Sequence, residues 1–193
     1  MRIFLAGASG VLGVRLVPLL VAAGHQVAGM TRSPEKADRL RALGAEPVVC
    51  DVFDLAALED AVARARPDAV LHQLTDLPDE ASSIPEYAAA NARIRREGTS
   101  NLLAAARAAG ATRFLAQSVA WQLAGDAGAA TGELERSVLA AGGVVLRYGR
   151  FYGPGTYHEQ APPPPPRVHL DEAARRTVAA LDEPPGMLTV AED

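Results

Sequence analysis

The sequence predicts an α/β fold built on a doubly wound parallel sheet. Two observations carry this. Short β-branched runs alternate with longer Ala-, Leu- and Arg-rich segments along the chain, which is the βαβ pattern of a parallel sheet. The first apolar run is followed at once by Gly7-Ala8-Ser9-Gly10-Val11-Leu12-Gly13, a glycine-rich turn between a strand and a helix. With 193 residues, 49% of them apolar and 22% charged, the chain suits a single domain with a full core that needs neither disulfides nor metals.

The elements follow in order. A strand is predicted over residues 2–6 and a helix over 11–23, its apolar face held by Leu12, Leu16, Leu19 and Ala23. Pro18 falls midway through that helix and removes a backbone hydrogen bond, so a kink is expected. A second strand reads at 26–30, then a helix over 34–43 with Pro34 in its first turn and Ser33 as its N-cap. Strand 46–50, helix 55–65 and strand 69–73 come next. A long helix spans 87–109, followed by strand 113–118, helix 132–141 and strand 144–148. A last helix over 171–181, capped by Asp171, precedes a short strand at 187–190. Gly24, Gly44 and Gly110 each come after a predicted helix, where a left-handed residue is wanted. Residues 162–166 are five consecutive prolines, read as a stiff polyproline II spacer on the surface.

Composition removes several function classes. The net charge is −4 and no dense run of Lys and Arg occurs, so no nucleic-acid partner is expected. No stretch approaches the ~20 apolar residues of a membrane helix, so no membrane partner is expected either. Cys50 is the only cysteine, which rules out an intramolecular disulfide and suits a reducing cytoplasm, the expected location. The four histidines lack metal-ligand spacing, so no metal is expected. No Gly-x-Ser-x-Gly elbow is present.

The glycine turn carries the chemistry. Gly7 permits a tight turn, Gly10 lets backbone approach a pyrophosphate, and Gly13 lets the helix pack on the strand. Ser9, Val11 and Leu12 lie within the loop, and the helix start offers free N–H groups and a positive dipole end to phosphates. This is the pattern of a Rossmann-type dinucleotide site. The strand after it ends in Gly29-Met30-Thr31-Arg32-Ser33, with no acid to hold ribose hydroxyls. Arg32, with the hydroxyls of Thr31 and Ser33, suits a 2′-phosphate, and Lys36 lies one turn on. NADP(H) is therefore favoured, with NAD(H) the alternative and a solvated surface arginine the bland reading of Arg32.

The motifs along the chain resemble the short-chain dehydrogenase/reductase superfamily, in its extended, epimerase/dehydratase-like branch. The Gly7, Gly10, Gly13 spacing is that branch's. Asp51 and Val52 resemble the pair that meets the adenine, and Val70-Leu71-His72-Gln73-Leu74 the strand end beside the cofactor. Asn91 and Glu97-Gly98-Thr99-Ser100-Asn101-Leu102 resemble the long-helix signature. Phe114-Leu115-Ala116-Gln117-Ser118 resembles the strand with its active-site serine. Arg147, Tyr152-Gly153-Pro154-Gly155 and Arg167-Val168-His169-Leu170-Asp171-Glu172 resemble the segments leading to the last helix.

The departures from that pattern bear on chemistry. The branch typically uses Tyr-x-x-x-Lys, in which the lysine lowers the tyrosine pKa and holds the nicotinamide ribose. Tyr87, Tyr148, Tyr152 and Tyr157 are followed four residues later by Asn91, Tyr152, Thr156 and Ala161. Lys36 is the only lysine and sits on the adenine side. In register, the expected Tyr and Lys fall at about Ala127 and Thr131. The loops after Ser118 and Gly155 are short, so the cofactor part (about 1–120) looks intact and the substrate part (about 121–170) reduced.

The candidates for catalysis are then Ser118 and Tyr152. His72, Trp121, Gln122 and Tyr157 are candidates for the substrate pocket, with His158 on the loop that carries Tyr157. Ser118 also reads as a strand-end serine capping a turn. The resemblance implies an atypical NADP(H)-dependent reductase or epimerase acting on a small carbonyl or hydroxyl compound. A non-redox cyclase, isomerase or dehydratase, and a non-catalytic cofactor-binding protein, are the alternatives. The Ala-rich helices 87–109 and 132–141 are candidates for a homodimer interface.

Overall fold

The computed structural model describes residues 1–192. Its strands are β1 (Arg2–Ala6), β2 (Gln26–Thr31), β3 (Glu46–Val49), β4 (Ala69–His72), β5 (Arg113–Val119), β6 (Val144–Tyr148), β7 (Arg150–Tyr152), β8 (Arg167–His169) and β9 (Gly186–Val190). Its helices are α1 (Gly13–Ala22), α2 (Ala37–Ala42), α3 (Leu55–Ala65), α4 (Ala88–Arg93), α5 (Thr99–Ala108), α6 (Gly125–Ala140) and α7 (Leu170–Ala179). Seven strands form one parallel sheet in the order β3-β2-β1-β4-β5-β6-β9. The doubly wound Rossmann-type α/β class read from the sequence is the fold observed.

Alternation along each strand explains the two-sided core. Ile3 and Leu5 of β1 face one cluster, with Leu16, Val17 and Leu20 of α1, Leu40 of α2, and Ala173 and Ala174 of α7. Phe4 and Ala6 face the other, with Leu58 and Val62 of α3, Leu102 and Ala105 of α5, and Leu134 and Val138 of α6. Both faces are covered, so the strands read as near-continuous apolar runs. The strand order reverses between β1 and β4, so the crevice at their carboxyl ends is where such a sheet takes a ligand.

Several elements depart from expectation. α1 continues through Pro18 as a helix. The residues after Ser33 form a tight turn, Pro34–Lys36, before α2, and the Ser33 side chain makes no capping bond. The long helix is not uniform: a π turn, Ile94–Gly98, joins α4 to α5. α6 begins at Gly125, seven residues before the expected start. A Cβ on Gly128 would lie 2.1 Å from the Leu123 carbonyl oxygen, so the small residues that read as loop are what let this end pack. The cap of α7 is His169, whose Nδ1 accepts the Asp171 N–H at 3.3 Å, while Asp171 pairs with Arg15 of α1 at 3.0 Å.

The parallel pair β7–β8 was not legible, and the proline run lies just before β8. Residues 164–166 are bends, so the second half of the run turns instead of extending as polyproline II.

One buried chain of hydroxyls ties the sheet to α7. Thr177 donates to the Ala173 carbonyl at 2.6 Å, so its oxygen is left to accept from Tyr148 at 2.6 Å. The Tyr148 oxygen in turn accepts from Gln73 Nε2 at 3.4 Å. Tyr148→Phe keeps the ring, removes the acceptor of Gln73 Nε2 and the donor to Thr177, and leaves the Thr177–Ala173 bond in place. We expect a loss of about 1–3 kcal/mol in urea unfolding with an unchanged slope. An unchanged midpoint would show that the chain contributes nothing.

Candidate active site

The glycine loop is stitched to both neighbouring strands. Ala8 N–H donates to the Met30 carbonyl at 3.1 Å, and Gln73 N–H donates to the Ala6 carbonyl at 2.9 Å. Gly7 sits at φ +90°, and a Cβ there would lie 2.7 Å from the Gln73 oxygen. Gly10 N–H donates back to the Gly7 carbonyl at 3.1 Å. A Cβ on Gly13 would lie 2.2 Å from that same oxygen, so α1 can begin here only with glycine. The N–H groups of Val11, Leu12 and Gly13 have no acceptor among the described residues, and no side chain caps α1. A Cβ on Gly10 would approach only the Gly7 oxygen, at 3.3 Å. These are the features of a backbone cradle for an anion.

At the end of β2, Thr31 is buried; its Oγ1 accepts from Ser33 N–H at 3.2 Å and meets Ser9 Oγ at 2.9 Å. Ser9, Thr31 and Ser33 are thus brought together at the loop. The Arg32 side chain remains 64% exposed and reaches Asp76 at 2.9 Å. Sequence reasoning missed Asp76, which lies 44 residues away with no local signal. Its backbone N–H donates to Asn91 Oδ1 at 3.2 Å, which fixes the segment after β4. After β3, Asp51 is exposed and its Oδ1 accepts from Phe53 N–H at 2.9 Å. Val52 is buried and its carbonyl accepts from Asn101 Nδ2 at 2.9 Å. Gln73 is buried and its Oε1 has no partner, while Leu74 is partly buried against the core.

Of the substrate-side candidates, Ser118, Tyr152, Tyr157 and Trp121 each have their own partner. Ser118 is buried and its hydroxyl donates to Glu135 Oε1 at 2.6 Å. Glu135 also takes both arms of Arg147, at 2.8 and 2.6 Å. Burial works to raise the Glu135 carboxyl. The hydrogen bonds from Arg147 and Ser118 and the charges of Arg147 and Arg95 outweigh it and hold the group below its usual value. Ala127 and Thr131, where a Tyr-x-x-x-Lys pair would fall, are joined by the Thr131 hydroxyl donating to the Ala127 carbonyl at 2.7 Å.

Tyr152 donates to Glu192 at 2.9 Å and packs edge-on against His169. That hydrogen bond, with burial and the Glu192 charge, raises its pKa, so it stays a phenol. Trp121 lies under the Arg150 guanidinium, 4.8 Å from the ring centre, and Gln122 is exposed. Tyr157 donates to the Pro78 carbonyl. It borders a hollow of about 500 Å³ with Asp79, Glu80, Thr156, His158 and Glu159. Ser118, Trp121 and Tyr152 do not line this hollow.

His72 is sealed in. It is 1% exposed, its Nδ1 accepts the Leu74 N–H at 3.3 Å, and its Nε2 meets Thr99 Oγ1 at 3.0 Å. Since Nδ1 is the acceptor, the proton sits on Nε2 and is donated to Thr99. Burial, with the Arg95 charge, lowers the imidazole pKa to about 4. This places His72 under the sheet edge as a neutral strut rather than in an open pocket.

The comparisons with known proteins fall on this geometry. Residues 7–142 match the model of a family described as NAD(P)H-binding. The chain belongs to the NAD(P)H-binding family. It is 37% identical over 236 residues to a 3-diazoavenalumate denitrifying reductase from Streptomyces sp, covering 100% of this chain and 76% of that protein. That span exceeds the 193 residues of this chain, so the relative has residues with no counterpart here. A shorter match, 35% identical, joins 60% of this chain to 32% of a 4-hydroxy-2-methyl-3-oxo-4-farnesyl-3,4-dihydroquinoline-1-oxide ketoreductase from Stigmatella aurantiaca. In fold the chain is similar to the Thermus thermophilus UDP-glucose 4-epimerase solved with NAD. The TM-score is 0.81 at 20% identity, covering 99% of this chain and 78% of that one.

The resemblance to the short-chain dehydrogenase/reductase superfamily read from the motifs is borne out, and the NAD(P)H-binding match spans the loop, β2, β4 and α6 described above. No helix among the described residues is long and apolar enough to cross a membrane.

The His72 environment gives a pH test. The folded-state pKa of about 4 lies below the ordinary 6.5, so the unfolded chain binds a proton that the folded one refuses. Stability from this site is present above pH 6.5 and is lost as pH falls toward 4. Wild type should lose about 2 kcal/mol more than His72→Gln between pH 7 and pH 5 in urea unfolding. Parallel losses in the two proteins would contradict the assignment.

Proposed function

We propose that this NAD(P)H-binding protein is an NADP(H)-dependent reductase of a small carbonyl or related unsaturated compound. The observation that carries it is the free amide cradle at the start of α1, beside a β2 end whose own residues, Thr31, Arg32 and Ser33, include no acid, Asp76 reaching Arg32 from the segment after β4. The loop N–H groups of Val11, Leu12 and Gly13 would hold the pyrophosphate. The exposed Arg32 fork and Ser33 would hold the 2′-phosphate, with Asp76 keeping Arg32 in place. Asp51 and Val52 would border the adenine, and Gln73 and Leu74 the inner half of the cofactor. The bound nicotinamide would supply hydride. Two named relatives, a denitrifying reductase and a ketoreductase, favour reduction over the non-redox alternatives.

The protein's own task is then to orient the acceptor and supply a hydrogen bond to the oxygen on which charge develops. Ser118 and Tyr152 are the two hydroxyl candidates, and each already donates to a carboxylate. Ser118 is buried against Glu135, whereas Tyr152 is only partly buried against Glu192. Tyr152 needs the smaller rearrangement to release its proton, so we place the donor there, with Ser118 setting Glu135. No lysine neighbours Tyr152, so it acts as a phenol donor and not as a tyrosinate base. The cytoplasmic location and a homodimer through the helices of 87–109 and α6 are retained in this proposal.

Nucleotide titration tests the reading. NADPH should bind more tightly than NADH, and Arg32→Ala should weaken NADPH selectively. Gly10→Val should abolish binding of both in a protein that still folds, because a Cβ there meets only the Gly7 oxygen, at 3.3 Å, which a shift of a few tenths of an ångström relieves. Once a substrate is in hand, Tyr152→Phe should lower turnover roughly 10²-fold with unchanged NADPH affinity. NADH binding as tightly as NADPH, or Gly10→Val binding as wild type does, would overturn the assignment.

A further inference from the structure

Arg95 is used by none of the preceding steps. It lies on the π turn between α4 and α5, and turns of this kind recur at functional positions in helices. Its neighbour Arg96 points outward and is matched there, bridging to Asp126 at 2.8 Å and Glu133 at 3.0 Å. Arg95 points inward and is only 8% exposed. One arm, Nη1, donates to the Thr131 hydroxyl on α6. The remaining N–H groups of the guanidinium have no partner among the described residues, and no carboxylate pairs with it.

Among the described residues no acidic group is left free to bond it. Glu135 is the nearest carboxylate, and both its oxygens are taken by Arg147 and Ser118. His72, on the other side, is neutral through its bonds to Leu74 and Thr99. Thr131 and Ser118 carry no charge. Arg95 shares the field of Glu135 with Arg147, but no carboxylate oxygen bonds it, and apart from the Thr131 contact its guanidinium donors have no protein acceptor among the described residues. A mostly buried guanidinium with unused donors is poorly solvated, so an anion that reaches them is favoured there. α4 and α6 both start from the carboxyl edge of the sheet, which puts this charge beside the ends of β4 and β5.

We propose that Arg95 receives a carboxylate carried by the substrate, held by the open side of its planar fork. This rests on the cofactor reading above and adds a substrate class to it. A guanidinium presents parallel donors that match the two oxygens of a carboxylate, and Thr131 fixes the fork by its other arm. The cofactor phosphates are not the anion meant. Their cradle follows β1, whereas Arg95 reaches toward α6, which follows β5.

The test is calorimetric titration of the wild-type protein, saturated with NADPH, with acetate, benzoate and trans-cinnamate and with the corresponding amides. At least one carboxylate should bind about tenfold or more tightly than its amide. Arg95→Gln should weaken that carboxylate about tenfold while NADPH affinity stays within about twofold. Arg95→Lys, which keeps the charge and loses the fork, should fall between the two. Should Arg95→Gln fail to fold, the wild-type carboxylate–amide comparison and the Arg95→Lys result decide the matter. Equal binding of acids and amides, no measurable acid binding, or unaltered acid binding in the variants would overturn the assignment. A wild-type protein that binds no NADPH would overturn the cofactor reading, and this assignment with it.

Discussion

The approach of Gly13 to the Gly7 carbonyl is the contact on which the site depends. A Cβ on Gly13 would overlap that oxygen, and one on Gly7 would lie 2.7 Å from the Gln73 oxygen, so with a side chain at either position α1 could not start directly behind β1. Because it does start there, its first amides face the crevice between β1 and β4 with no protein acceptor. The same loop is fixed sideways by Ala8 on Met30 and by Gln73 on Ala6, so the cradle is preorganised before anything binds. The two-sided core then holds β1 in place, with Ile3 and Leu5 on one face and Phe4 and Ala6 on the other.

On the substrate side a different interaction dominates. The Ser118–Glu135–Arg147 cluster joins β5, α6 and β6 by hydrogen bonds of 2.6 to 2.8 Å. It occupies hydroxyl and carboxylate groups that would otherwise be free for acid–base work. Thr131 and Ala127 stand where a tyrosine–lysine pair is expected from the family pattern, and they bond to each other. Of Ser118 and Tyr152, the less buried is Tyr152, held by Glu192 on the chain that follows β9.

How much of this was legible follows from how local each signal is. β1, β6 and α3 were read with their observed bounds because their apolar runs and punctuation lie within a few residues. The glycine loop was legible for the same reason. The beginning of α6 was not, since Gly125, Gly128 and Gly132 signal loop until the packing of Gly128 on Leu123 is seen. The strands β7 and β8 have three residues each and pair across a proline-rich segment, so neither length nor period marks them. The occupied state of Ser118, the pairing of Arg32 with Asp76 and the sealing of His72 all depend on partners 17 to 44 residues away. Sequence could name those side chains and their strand ends, but not what they touch.

The central claim is that the amides at the start of α1 hold the pyrophosphate of a dinucleotide. Hydrogen–deuterium exchange of the whole protein with and without saturating NADPH reads those amides directly. Without nucleotide, Val11, Leu12 and Gly13 should exchange freely, as groups that lack an acceptor. With it, peptides containing residues 8–13 should slow by about tenfold or more, ahead of any other segment. Unchanged exchange in this loop at saturating NADPH, with protection arising elsewhere, would contradict the account.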